Sequence, residues 1–195
     1  MVIELFSPAL PLNGYGDRVT TSRQEAQWVL RSQCGDRDAL EPLLRAVQPS
    51  LRGYVARLVG AQDADDVVQE VFVIICRKLA WLQEPALFRP WMYRIATRTA
   101  FRHLKKARRY VEEPIDAIVD SMAAIEDQPS DEDLRRLLGS DALSLASRAV
   151  LALHFQEELT LVEIAAVLEI PLGTVKSRLA FGLATLRKEI TPRRV

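Results

Sequence analysis

The sequence predicts an all-α protein: two small helical domains joined by an acidic flexible linker, the second containing a helix-turn-helix. Three observations carry this. Apolar residues recur at spacings of three and four along most of the 195 residues, and no stretch alternates with the period of a strand. Glycine is scarce, with eight in the chain, and Gly35 and Gly60 fall where helical stretches stop. Charge comes in blocks although 26 basic and 26 acidic residues cancel. Arg89 to Arg109 holds eight Lys or Arg and no acid, whereas Val111 to Asp133 holds nine acids and no base. A basic block followed by an acidic one marks an interaction face and a solvated spacer. The division expected is an N-terminal arm (1–21), a first helical domain (22–110), the linker (111–130) and a second domain (131–195).

The arm carries Pro8, Pro11, Gly14 and Gly16 and no sustained period. Ser22 with Glu25 has the spacing of a capping box and predicts a helix from Ser22 through Gln33. A second helix begins at Arg37 or Asp38, with Leu40, Leu43, Leu44 and Val47 on one side and Pro42 in its first turn. Pro49 then opens a third helix, whose Leu51, Tyr54, Val55 and Leu58 face the core. A fourth starts near Asp63, where aspartates complement the helix dipole. Its buried face is Val67, Val68, Val71, Ile74, Ile75 and Leu79. Asp66, Gln69, Glu70, Val73 and Arg77 share the other side, either a docking surface or a solvated face.

The stretch FRPWMYRIATRTAFRHLKKARR, Phe88 to Arg109, gives a long helix with Trp91, Met92, Ile95, Thr99 and Leu104 turned inward. Arg94, Arg98, Arg102, Lys105 and Arg109 line up at spacings of three and four and form a basic ridge. The sequence supplies no carboxylate within this block, so the ridge calls for an anionic partner. Phe88, Tyr93 and Phe101 lie near it as candidates for stacking on bases. His103 and His154 are isolated and are read as surface or packing residues. The second domain opens with Asp131 to Leu138, followed by a helix from about Ala146 to Glu157.

Thr160 to Lys188 carries the plainest signal. Thr160 with Glu163 is a capping box, so a helix starts at Leu161. Leu161, Ile164, Ala165 and Leu168 give it one apolar face, and Pro171 and Gly173 interrupt the period. A second helix follows with the stripe Val175, Leu179, Leu183 and Leu186. Two short helices across a tight turn, with the small Ala165 at their crossing, predict a helix-turn-helix. Thr174, Lys176, Ser177 and Arg178 open the second helix, and they are the donor types that reach phosphates and base edges.

Cys34 and Cys76 have no metal or redox spacing. The N-terminus lacks a basic start and no apolar run is long enough to span a bilayer, so the expectation is a cytoplasmic protein without membrane insertion. Neither a metal nor another cofactor is expected, and no Ser-His-Asp set or Gly-rich phosphate loop points to an enzyme. A two-domain regulator with a ligand-sensing N-terminal half is the competing class.

In order, DADDVVQEVF, the −10-like helix FRPWMYRIATRTAFRHLKKARR, the acidic spacer and IPLGTVKSRL resemble the extracytoplasmic-function group of sigma factors of bacterial RNA polymerase, over about Gly35 to Ile190. The resemblance implies a promoter-directing subunit that assists melting. It implies that Asp66, Gln69, Glu70 and Val73 dock on core RNA polymerase. It assigns Arg94, Arg98, Arg102, Lys105, Lys106 and Arg109 to the −10 element, with the loop before Trp91 holding a flipped base. Thr174, Lys176, Ser177, Arg178 and Phe181 fall to the −35 element. Core polymerase, promoter DNA and an anti-sigma factor are the partners implied. The chain departs from the family pattern at Arg98, where Asn is common, and at Arg102, where Asp is common. It also departs at Ala146, at Glu169, where Gly is frequent, and at Ala180, Phe181 and Gly182, where basic residues are common.

Overall fold

The computed structural model describes residues 15–106, 138 and 143–190. Among these residues all regular structure is helical. The α-helices are α1 (Tyr15–Gln33), α2 (Leu40–Val59), α3 (Ala64–Lys78), α4 (Phe88–Lys106), α5 (Leu145–Phe155), α6 (Leu161–Leu168) and α7 (Leu172–Ile190). Short 3-10 turns at Arg37–Ala39, Leu79–Trp81 and Pro85–Leu87 join the first four. The expected linker, nearly all of Asp131 to Leu138 and the tail lie outside the described residues. No helix among the described residues is long and apolar enough to cross a membrane.

Two expected boundaries are corrected. Helix α1 starts at Tyr15, seven residues ahead of Ser22, so Ser22 is no N-cap. Glu25 is mid-helix and faces the core at 2% exposure. The second and third expected helices are one, α2, which passes through Pro49. Proline forfeits a backbone hydrogen bond there. The helix continues because Leu43, Val47, Leu51, Tyr54 and Val55 form one fully buried stripe across it. Burying such side chains contributes about 1.5–3 kcal/mol each, enough to override a local breaker.

Elsewhere the local signals hold. Gly35 and Gly60 have φ of 94° and 92°, the left-handed geometry that ends a helix. Asp36 caps the turn at Arg37, its carboxylate accepting from the Asp38 amide at 3.0 Å. Ser144 caps α5 by accepting from the Ser147 amide at 3.1 Å. At the end of α3 the Gln33 side-chain amide donates to the carbonyls of Leu79 at 2.9 Å and Leu82 at 2.7 Å. The Leu79 carbonyl also accepts from the Leu82 amide at 3.1 Å, closing the turn that follows α3, so α1 braces the exit from α3.

Helices α1 to α4 form one module and α5 to α7 a second, and the two pack together, α4 against α6 and α2 against α5. Their apolar residues belong to one continuous core. At its centre Tyr54 and Tyr93 meet edge to face, ring centroids 5.2 Å apart. The Thr97 hydroxyl donates to the Tyr93 carbonyl at 2.8 Å and so accepts from the Tyr54 hydroxyl at 2.6 Å. Burial holds both tyrosine hydroxyls well above their ordinary pKa.

Candidate polymerase and nucleic-acid interfaces

Helix α3 buries Val67, Val68, Val71 and Ile75, with Ile74 half-buried. That orientation follows from its apolar spacing and leaves Asp66, Gln69, Glu70 and Val73 exposed as one stripe at i, i+3, i+4 and i+7. Val73 is a large apolar residue left 43% exposed within it. Arg52 braces the start of the helix by a bidentate contact to Asp65 at 2.6 and 3.2 Å, which lowers the Asp65 carboxyl below its usual range.

Helix α4 crosses α3. It buries Phe88, Met92, Tyr93, Ala96, Thr97, Thr99, Ala100 and Leu104. Phe88 and Tyr93 are therefore core residues and are removed as stacking candidates; Phe101 and Trp91 are half-buried. The structure places Arg98, Arg102, Lys105 and Lys106 on the exposed side and Arg94 at its edge, while Arg109 lies outside the described residues. The ridge is not left without carboxylates. Arg102 pairs with Glu70 of the α3 stripe at 2.5 Å, and Arg94 and Arg98 both pair with Glu169 of the second module. The partners come from other helices, beyond the reach of a reading confined to the block. Hydrogen bonds from Arg98 and then Arg94 hold the Glu169 carboxyl below its usual value.

Residues that sequence reasoning missed lie beside this ridge. Arg89, at the start of α4, donates to both oxygens of the buried Glu25 at 2.9 and 2.7 Å, tying α1 to α4. The Tyr93 hydroxyl donates to the buried Glu157, which follows α5, so a polar contact is enclosed between the modules. Trp81, in the connection that leads to α4, is 75% exposed. A lone tryptophan without a periodic pattern gave no signal of this.

In the helix-turn-helix the Thr160 capping box is complete, Glu163 accepting from the Thr160 amide at 2.8 Å while its own amide donates to the Thr160 hydroxyl at 3.2 Å. Ile164 and Val167 are buried, with Leu161, Ala165 and Leu168 half-buried. Glu169 ends α6 in the left-handed region at φ 56°. Helix α7 buries Val175, Leu179 and Leu183. This leaves Lys176 and Phe181 exposed and Thr174, Ser177 and Arg178 half-exposed at its start. Gly182 faces inward: a Cβ there would lie 2.5 Å from Leu151 Cδ1. It is a packing glycine, and any side chain at that position would have to displace Leu151.

These geometries belong with a set of known proteins. Residues 43–110 match the family Sigma-70 region 2, and residues 141–188 match Sigma-70, region 4. The RNA polymerase sigma-H factor of Pseudomonas aeruginosa is 31% identical over 188 residues, 88% of this chain and 96% of that relative. The ECF RNA polymerase sigma-E factor of Escherichia coli K12 is 32% identical over 177 residues, 84% of this chain and 93% of its own length. The sigma factor RpoE of Bartonella quintana, solved with the anti-sigma factor NepR, shares the fold at a TM-score of 0.61 and 22% identity, over 79% of this chain and 98% of that one. CnrH, solved with the cytosolic domain of CnrY, does so at 0.58 and 20%, over 85% and 96%. The chain belongs to the extracytoplasmic-function group of the sigma-70 family. It is a transcription initiation factor that directs core RNA polymerase to promoters.

Proposed function

We propose that three exposed faces divide the work of promoter-directed initiation. The α3 stripe of Asp66, Gln69, Glu70 and Val73 docks on core polymerase: acidic and amide groups around one apolar residue are spare to the helix core and suit a mixed interface. The α4 ridge of Arg94, Arg98, Arg102, Lys105 and Lys106, with Arg109 beyond the described residues, engages the −10 element, and Trp81 stacks on a base as strands separate. Thr174, Lys176, Ser177, Arg178 and Phe181 of α7 meet the −35 element in the major groove. The chain makes and breaks no bond itself. Residues 22–110 and 131–195 act as the two promoter-binding domains, with 111–130 as an acidic connector that aids docking electrostatically. The protein works in the cytoplasm. An anti-sigma factor restrains it, a reading supported by the two solved neighbours, each in complex with a second protein.

The observation that carries this reading is the full or partial exposure of the polar set on each of three helices while the apolar set of the same helix is buried. Run-off transcription with purified core polymerase tests it. The wild-type chain gives promoter-specific transcripts, whereas Glu70→Lys and Lys176→Ala lose them through core binding and promoter binding respectively. A chain that binds operator duplex by itself as a dimer, and gives no transcript with core, would sink it.

A further inference from the structure

Glu169 stands in the turn of the helix-turn-helix with φ 56°, a conformation that suits glycine and costs an ordinary side chain. Glycine would relieve that strain. The glutamate's side chain instead reaches across to α4, where its two carboxylate oxygens accept from Arg94 and Arg98. One carboxylate bridging two guanidinium groups has the charge and acceptor geometry of a backbone phosphate. Nearby, Tyr93 of α4 donates to the buried Glu157, and Arg148 of α5 donates to the Arg57 carbonyl of α2 at 3.4 Å. The contact between modules is thus rich in polar groups that water can satisfy after separation, as in reversible domain interfaces. Arg94 Nε is buried without a hydrogen-bond partner, so closure leaves a donor unpaired. Helix α7 packs on α5 and α6, and its Lys176 stays exposed in this closed arrangement.

We propose that Glu169 is an intramolecular latch: it occupies the Arg94–Arg98 pair as a phosphate would, holds the two modules closed, and masks that part of the ridge from nucleic acid until core polymerase separates them. This rests on the reading of the ridge as a promoter contact. The latch governs the −10 side alone, so the closed protein offers its −35 helix but not the Arg94–Arg98 pair, which discourages binding to DNA without polymerase.

The test uses the full chain labelled at two sites. Cys76 on α3 is exposed and free. With Cys34→Ser and Ala184→Cys on α7, spin-label distances report module separation. Wild type gives one short, narrow distribution that lengthens when core polymerase is added. Glu169→Gln and Glu169→Gly lengthen and broaden it without core, and circular dichroism stays unchanged. The glycine variant also relieves the backbone strain, so loss of folding cannot mimic its effect. A mixed-sequence single-stranded DNA oligonucleotide then binds the free variants a few-fold to about tenfold tighter, the range two exposed ion pairs allow. Adding Arg94→Ala and Arg98→Ala abolishes that gain. Distances that stay at the wild-type value in both Glu169 variants overturn the latch, as does opening with no gain in DNA affinity. The ridge reading has its own measurement, the salt slope of promoter binding by holoenzyme. A slope lowered by Arg94→Ala together with unmoved Glu169 distances keeps the ridge and discards the latch; an unchanged slope discards both.

Discussion

Glu25 shows how one residue changes meaning with its surroundings. In the sequence it sits three residues after a serine and has the spacing of a cap; in the fold it is a buried carboxylate held by both donors of Arg89. Removing one partner of a buried pair leaves the other charge without compensation. Arg89 keeps 30% of its side chain exposed and so regains some solvation. Glu25→Ala is therefore expected to cost about 3 kcal/mol, the low end for such pairs, measured by urea denaturation. Gly182→Ala is expected to cost about 1–3 kcal/mol by overpacking against the fully buried Leu151, with part recovered in the double variant with Leu151→Val. At Glu169 the direction with pH is fixed by the sign of its shift. Its folded pKa lies below the usual 4.5, so its contribution to closure is complete above pH 4.5 and is lost as pH falls through the lowered folded value. Wild type should show an acid-induced opening that Glu169→Gln lacks, read from the same spin-label distances.

At the scale of elements, the docking and −10 faces are not independent. Helices α3 and α4 are joined across their exposed sides by Glu70 and Arg102. Glu70→Lys should abolish co-purification with core polymerase while helical circular dichroism stays at the wild-type value; retention of core binding would remove α3 from the interface. Arg102→Ala should lower the salt slope of promoter binding by roughly one unit if it neutralises a phosphate. On α7, Lys176→Ala should cost about 1–3 kcal/mol with relaxed preference at one −35 position if Lys176 reads a base. A uniform loss across −35 sequences would make it a phosphate contact.

Across the whole molecule, the modules share one continuous core yet meet through a contact rich in polar groups. A continuous core couples their unfolding, and the polar contacts give them a way to part without exposing it all. Tyr93→Phe tests the coupling. It strips a donor from the buried Glu157, and leaving such a group short of partners costs about 1–3 kcal/mol. The expected result is a lowered unfolding midpoint with a broadened transition, the second module loosening first by hydrogen exchange at α6. A transition as sharp as wild type at the same midpoint would place Glu157 outside the coupling.

What the sequence determined by itself was whatever depends on neighbours along the chain. The 3.6-residue period located α3, α4, α6 and α7, the Thr160–Glu163 spacing fixed the start of α6, and Gly35 and Gly60 marked helix ends, because each is an interaction within a turn or two. The same periodicity sorted Val71 inward from Val73 and so brought out the exposed stripes. Only the tertiary structure decided the rest. Pro49 lies inside a helix because a buried stripe spans it, and Phe88 and Tyr93 are core because α4 is covered on that side. The basic ridge found its carboxylates 71 and 75 residues away at Glu169 and 32 away at Glu70. Charge attraction has no period and no preferred separation along the chain, so which acid meets which arginine is settled only when the helices pack.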